Sequence, residues 1–79
     1  MGREVQYQET MRDVLRLLVE RASQKADATS TFEQGVRMGY FEAVSAILGE
    51  LETFGIDLGE VGMAGFDPAS MLQPARRAA

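Results

Sequence analysis

Two long stretches with helical periodicity, separated by a short polar break, constrain this chain more than any other feature. Over residues 3–27 the apolar side chains recur every three or four positions, which places them along one face of a helix. The break at 28–31 contains Ser30, and Glu33 follows three residues later, as in the reciprocal capping arrangement that starts a helix. A connection this short leaves two helices little choice but to lie antiparallel. The sequence therefore predicts an all-α protein built on an antiparallel two-helix hairpin.

The second helix is predicted to cover about residues 31–54. Gly55 can take the left-handed backbone conformation that closes a helix, and Ile56 can then pack back on the last turn. After this point the chain keeps many apolar side chains among its glycines, too many for a free tail. We therefore expect the C-terminal segment to fold back on the hairpin.

The C-terminal segment also contains signals for short helical turns. Asp57 can cap one turn, and Asp67 followed by Pro68 is typical of a helix start, in which Asp accepts amide hydrogens and Pro occupies the first position. The chain then ends in residues that have nothing to bury. The expected elements are helices at about 3–27 and 31–54, short helical turns at about 57–62 and 67–73, a single domain over 1–74 and a flexible tail over 75–79.

The size of the chain favours assembly with another copy. At 79 residues it lies near the limit of roughly 70–80 residues at which one hydrophobic core barely offsets chain entropy. The sequence contains no Cys and no His, which excludes disulfides and every metal site that needs sulfur or imidazole. Of the usual sources of extra stability, oligomerisation remains, and we expect a homodimer.

Charge and hydropathy argue against two classes of partner. A surface that binds nucleic acid needs clustered Lys and Arg, whereas this chain has a net charge of −4 and its adjacent basic pair, Arg76 and Arg77, lies in the expected tail. No apolar run approaches the roughly 18 residues that would span a bilayer, and the first residues do not resemble a signal peptide. We expect a cytoplasmic protein that binds neither nucleic acid nor membrane.

The sequence offers few groups for catalysis. Without His, general acid–base chemistry would depend on carboxylates, Tyr7, Tyr40 or Lys25. We find no glycine-rich phosphate loop followed by Lys, no serine nucleophile elbow and no calcium loop. The chain is therefore expected not to be an enzyme and to hold no cofactor and no metal.

The second helix has more apolar surface than one neighbouring helix can cover. At 100° per residue, one arc of about 120° is expected to face the first helix. The residues of this expected hairpin face are Phe32, Val36, Tyr40, Ala43, Val44, Ile47, Leu51 and Phe54. Phe41 and Leu48 lie beyond the arc on one side, and further small or apolar residues lie beyond it on the other. A helix that is apolar over more than half its circumference is expected to contact more than one neighbour.

Small residues on this helix allow another backbone to approach closely. Gly35, Gly39 and Ala43 repeat every four residues, and glycines inside a helix carry an entropic cost that calls for an explanation. They can serve either a second copy of the chain or the packing of one chain on itself. The predicted interface residues are Gly35, Met38, Gly39, Phe41, Ala46 and Leu48.

These observations lead to three hypotheses of different classes. The first is a non-enzymatic protein–protein interaction or regulatory module that self-associates through its second helix, in a dimeric four-helix arrangement. The second is a monomeric acidic adaptor or inhibitor that binds a partner protein through the same helix, and added salt would weaken that contact. The third is a small-ligand-binding protein. Hairpins of this size occur among unrelated bacterial adaptors, regulators and inhibitors, so the architecture alone does not choose among them.

Overall fold

The computed structural model describes residues 2–27 and 29–73. Two α-helices, α1 (Arg3–Ser23) and α2 (Thr31–Thr53), are followed by two short 3-10 helices, η1 (Leu58–Val61) and η2 (Pro68–Leu72). The described part of the chain contains no β-strand. The predicted all-helical class is therefore confirmed. The tail expected at 75–79 lies outside the described residues.

Local capping signals determine both ends of α2. The hydroxyl oxygen of Ser30 accepts a hydrogen bond from the Glu33 amide at 3.1 Å. At the other end the Ile56 amide donates to the Leu51 carbonyl at 2.8 Å, and the Gly55 amide donates to that of Glu52 at 3.0 Å. Gly55 has a φ of +74°, so this is the left-handed helix termination in which the residue after glycine packs back on the last turn. The helix ends one residue before the expected position.

The first helix ends four residues earlier than expected. After Ser23 the amides of Lys25 and Ala26 bond to carbonyls three residues back, which tightens the chain into turns. Two contacts hold these turns against α2. Arg37 Nη1 donates to the Ala26 carbonyl at 2.9 Å, and Lys25 Nζ lies 3.2 Å from a carboxylate oxygen of Glu33. The chain thus begins to reverse before its apolar periodicity ends.

Contacts at both ends show that the two helices run antiparallel. The turn after α1 contacts the beginning of α2, as the Lys25–Glu33 ion pair shows. At the other end, Tyr7 and Met11 of α1 line the same groove as Leu51 of α2. The helices therefore form the expected hairpin.

The C-terminal segment folds back on one side of this hairpin. Asp57 and Asp67 cap η1 and η2, because their carboxylate oxygens accept the amides two residues on, at 2.9 and 3.0 Å. Gln8 Nε2 of α1 donates to the Glu60 carbonyl at 2.8 Å, and Arg12 Nη2 donates to the same oxygen at 3.3 Å. One core then joins both helices to the segment. Its buried side chains are Leu15, Ala22, Val44, Leu48, Val61, Met63 and Met71.

The hairpin face expected on α2 is only partly correct. Val44 is fully buried, but Phe32 and Phe54 are 79% and 75% exposed, and Ala43 is also exposed. Of the other expected members, Val36, Tyr40, Ile47 and Leu51 are half-buried. The cause is the C-terminal segment, which turns the core towards Leu48, away from the two aromatic residues.

Candidate functional site

The hairpin has two broad faces, and the C-terminal segment covers one of them. On α1, Gln8 and Arg12 mark the covered flank, because both bond to the Glu60 carbonyl. At 3.6 residues per turn, Tyr7 and Val14 lie on the other flank of α1, with the buried Leu15 between the two flanks. The same geometry places Phe41 on the covered flank of α2.

The other flank of α2 continues the uncovered surface. Phe32, Ala43 and Phe54 lie within about 40° of one another around the helix axis and well away from Phe41. We call Tyr7, Val14, Phe32, Ala43 and Phe54 the open face. Three of its members are aromatic rings that are at least 70% exposed. Glu50 lies at the same angle around α2 as Phe32 and interrupts the apolar surface between Ala43 and Phe54. Exposed aromatic rings grouped on one face of a small chain commonly mark an interaction site.

The small residues of the predicted interface lie on the side of α2 that points away from the core. Gly35, Gly39 and Ala46 fall within an arc of about 40° centred opposite the core. All three are exposed, and a β-carbon added at either glycine would have no atom within 4 Å. Met38, 43% exposed, lies beside them. We call these four residues the back of α2, and it borders the open face at Phe32.

Phe41 and Leu48 do not join the other four predicted interface residues. Leu48 is only 4% exposed and belongs to the core, so it offers no surface to a second chain. Phe41 is half-buried on the covered flank. The C-terminal segment was expected to fold back on the hairpin, and it occupies this flank. Phe32 and Phe54, which were expected in the hairpin face, lie instead on a second apolar flank that the periodicity also contains.

The distribution of charge is uneven along the fold. Between residues 38 and 73 the chain carries six carboxylates and neither Lys nor Arg. All six are exposed. They are Glu42, Glu50, Glu52, Asp57, Glu60 and Asp67. The first helix is instead of mixed charge, so the molecule has an acidic half formed by most of α2 and the C-terminal segment.

A groove opens where the start of α1 meets the end of α2. Its volume is about 400 Å³. The helix termination at Gly55 builds part of its apolar wall, because it brings Ile56 back beside Leu51. The lining residues are Glu4, Tyr7, Gln8, Met11, Leu51, Ile56, Glu60 and Val61.

Metal-ligating groups do not gather anywhere in residues 2–27 and 29–73. No three Asp or Glu side chains in these ranges come together in a way that would hold a metal ion. Neither of the two described α-helices combines the length and the apolar character needed to cross a membrane. The candidate sites on the described surface are therefore the open face, the back of α2 and the groove.

Comparisons of this chain with protein-family models, with curated proteins and with solved structures give no match.

Proposed function

We propose that this chain is a non-enzymatic protein–protein interaction module that self-associates through its open face, with α2 at the contact. The observation that carries the proposal is the exposure of Tyr7, Phe32 and Phe54 at 70%, 79% and 75% on one side of a two-helix layer. Water contact with these rings costs free energy that burial would recover, at about 25 cal/mol per Å² of apolar surface. A second hairpin stacked on this face would complete a four-helix arrangement.

The arrangement of α2 is suited to contact with an identical helix. Phe32 and Phe54 lie about three turns before and after Ala43, so both rings extend from the same side of the helix. A two-fold axis at Ala43 would therefore place Phe32 of one copy against Phe54 of the other, twice. Such aromatic pairs contribute about 0.5–1.5 kcal/mol beyond their buried area. The small side chain at Ala43 would let the helices approach closely at the axis.

The first helix repeats this symmetry. Tyr7 and Arg21 lie about two turns before and after Val14. The same axis, passing Val14, would bring the Arg21 guanidinium of one copy to the Tyr7 ring of the other, which is a favourable cation–π arrangement. Val14 and Ala43 directly precede Leu15 and Val44, the largest fully buried side chains of the core. Both centres of symmetry thus lie near the middle of the hairpin.

The area available agrees with a specific contact. A helix of 21 residues is about 31 Å long, and two packed helices present a face about 20 Å wide. A standard interface covers about 800 Å² on each partner, which a rough surface of these dimensions supplies. The back of α2 adjoins this face and can contribute its exposed glycines to the edge of the contact.

Sedimentation equilibrium over a range of micromolar concentrations tests the proposal. The natural chain should show reversible association, and Phe32→Ser/Phe54→Ser should shift it to monomer. Each buried Phe contributes about 1.5–3 kcal/mol and counts twice in a two-fold dimer, so we expect the dissociation constant to rise by at least about 10,000-fold. Helix content measured by circular dichroism should not change, because both rings are largely exposed in one chain.

Val5→Ser is the matched control for this experiment. Val5 is also an exposed apolar residue, 37% exposed, but it lies on the side of α1 away from the open face. Its replacement should leave association unchanged. A natural chain that sediments as a monomer at every concentration would disprove self-association. An equal loss in the Val5 variant would show that the contact uses another surface.

A further inference from the structure

We propose that the groove between the start of α1 and the end of α2 receives a basic amphipathic helix of another protein. This inference does not require self-association, because α1, α2 and η1 of one chain supply the whole lining of the groove. Tyr7 belongs to both the groove and the open face, so a second copy and the peptide would compete for its ring. The proposal rests on the chemistry of its lining. Apolar side chains form the walls and carboxylates stand at the margin.

The walls of the groove can hold a large apolar side chain. Met11, Leu51, Ile56 and Val61 supply apolar surface from α1, α2 and η1. A volume of about 400 Å³ is near the lower end of the roughly 300–1,000 Å³ found for binding pockets. This is enough for one or two large side chains of a helix laid across the opening, as in other helix-in-groove contacts.

The carboxylates at the margin of the groove favour a positively charged partner. Glu4 and Glu60 line the groove, and a neighbouring depression that shares Ile56 adds Glu52 and Asp57. The Arg12 guanidinium at this end donates to the Glu60 backbone carbonyl, and the Glu60 carboxylate forms no ion pair with another described residue. Opposed charges of this kind steer encounter and exclude partners of the same sign.

Tyr7 adds a second means of recognising a cation. Its ring lines the groove and is 70% exposed. Lys or Arg beside the inserted apolar side chain can lie over this ring while it approaches the carboxylates. A second copy of the chain suits the groove poorly, because each copy carries a net charge of −4. The observations therefore favour a helix of opposite charge from a different protein.

The natural chain can be tested with a synthetic helical peptide of Leu, Lys and Ala, with Leu at i, i+3, i+4 and i+7. Chemical shifts of 13C-labelled methionine methyl groups report the place of binding. The Met11 signal should shift in a saturable way, while Met38 on the back of α2 and the buried Met63 and Met71 should stay unchanged. Binding should weaken as salt is added. A peptide with Glu in place of every Lys should not bind.

Charge variants give the decisive comparison. Glu4→Gln/Glu60→Gln should weaken the Lys peptide by about tenfold, since each exposed pair contributes up to about 1 kcal/mol. The matched control, Glu20→Gln/Glu42→Gln, makes the same change in net charge on exposed residues outside the groove lining and should leave the affinity within about twofold. Equal losses in the two variants would overturn the proposal, as would a bound peptide that leaves the Met11 signal unmoved.

Two further experiments distinguish a charged groove site from binding at the open face and from a general apolar site. Peptide binding should persist in Phe32→Ser/Phe54→Ser, and salt should weaken it while strengthening contact between two acidic copies. Loss of peptide binding in that variant would assign the peptide to the open face and disprove a separate groove site. An uncharged detergent monomer that shifts Met11 as readily as the Lys peptide would show a general apolar site without charge selection, and would also overturn the proposal.

Discussion

The two faces of the hairpin show how a chain of this size divides its apolar residues between folding and binding. On the covered face, Val61, Met63 and Met71 of the C-terminal segment join Leu48 in the core, and each is less than 10% exposed. On the open face, Phe32 and Phe54 are more than 70% exposed. Both faces have apolar residues at helical spacing. What distinguishes them is the presence of a partner segment within the same chain.

The largest expected effect comes from removing the same side-chain atoms from a buried leucine and from an exposed one. Leu48→Ala should lower the free energy of unfolding by about 2–4 kcal/mol, because it leaves a cavity in a packed core. Leu17, which is 44% exposed, loses the same groups in Leu17→Ala and should cost less than about 1 kcal/mol. Urea denaturation at concentrations where the chain is monomeric measures both values. Equal losses would mean that Leu17 is packed as closely in the monomer as Leu48.

Local signals in the sequence predict the boundaries of the elements well. Ser30, Gly55, Asp57 and Asp67 each act within a few residues, and each is found in the backbone role that its chemistry favours. Their information is local because a cap satisfies amides or carbonyls of its own turn. For this reason the hairpin could be predicted without knowledge of tertiary contacts.

The choice of covered face could not be predicted in the same way. Helical periodicity places apolar residues on both flanks of α2, and either Phe54 or Leu48 could have faced a third element. That choice depends on contacts distant in sequence, such as those of Gln8 and Arg12 with the Glu60 carbonyl. The end of α1 was also misplaced, because apolar spacing continues to Ala26 while the tertiary contacts of the turn end the helix at Ser23.

The back of α2 gives a second test of which residues are needed for folding. The expected effect on the free energy of unfolding is smaller here. A β-carbon added at Gly39 has no atom within 4 Å, so the glycine is not required by any contact within the described chain. Gly39→Ala should therefore raise the free energy of unfolding by about 0.5–1 kcal/mol, the gain in helix propensity. Thermal and urea denaturation of the monomer measure this change.

Gly62→Ala is the control for this substitution. Gly62 has a φ of +73°, and an added β-carbon would lie 3.5 Å from Arg12 Cγ. The same chemical change should here lower stability, because an L side chain is strained in that conformation. A loss of stability in the Gly39 variant would show that the back of α2 is in contact with something already in the isolated chain.

The smallest expected effect on stability concerns Gln8, whose side chain holds η1 against α1 through a hydrogen bond. Gln8 Nε2 donates to the Glu60 carbonyl at 2.8 Å near the surface, where water competes for both groups, so Gln8→Ala should cost only about 0.5 kcal/mol. Gln6→Ala is the matched control, because the Gln6 side chain has no hydrogen-bond partner in the described chain. Hydrogen exchange should show faster opening of the η1 amides in the Gln8 variant, with α2 unchanged. Uniformly faster exchange across α2 would mean that the C-terminal segment and the hairpin unfold as one unit, and the covered face would then be inseparable from the helices that it stabilises.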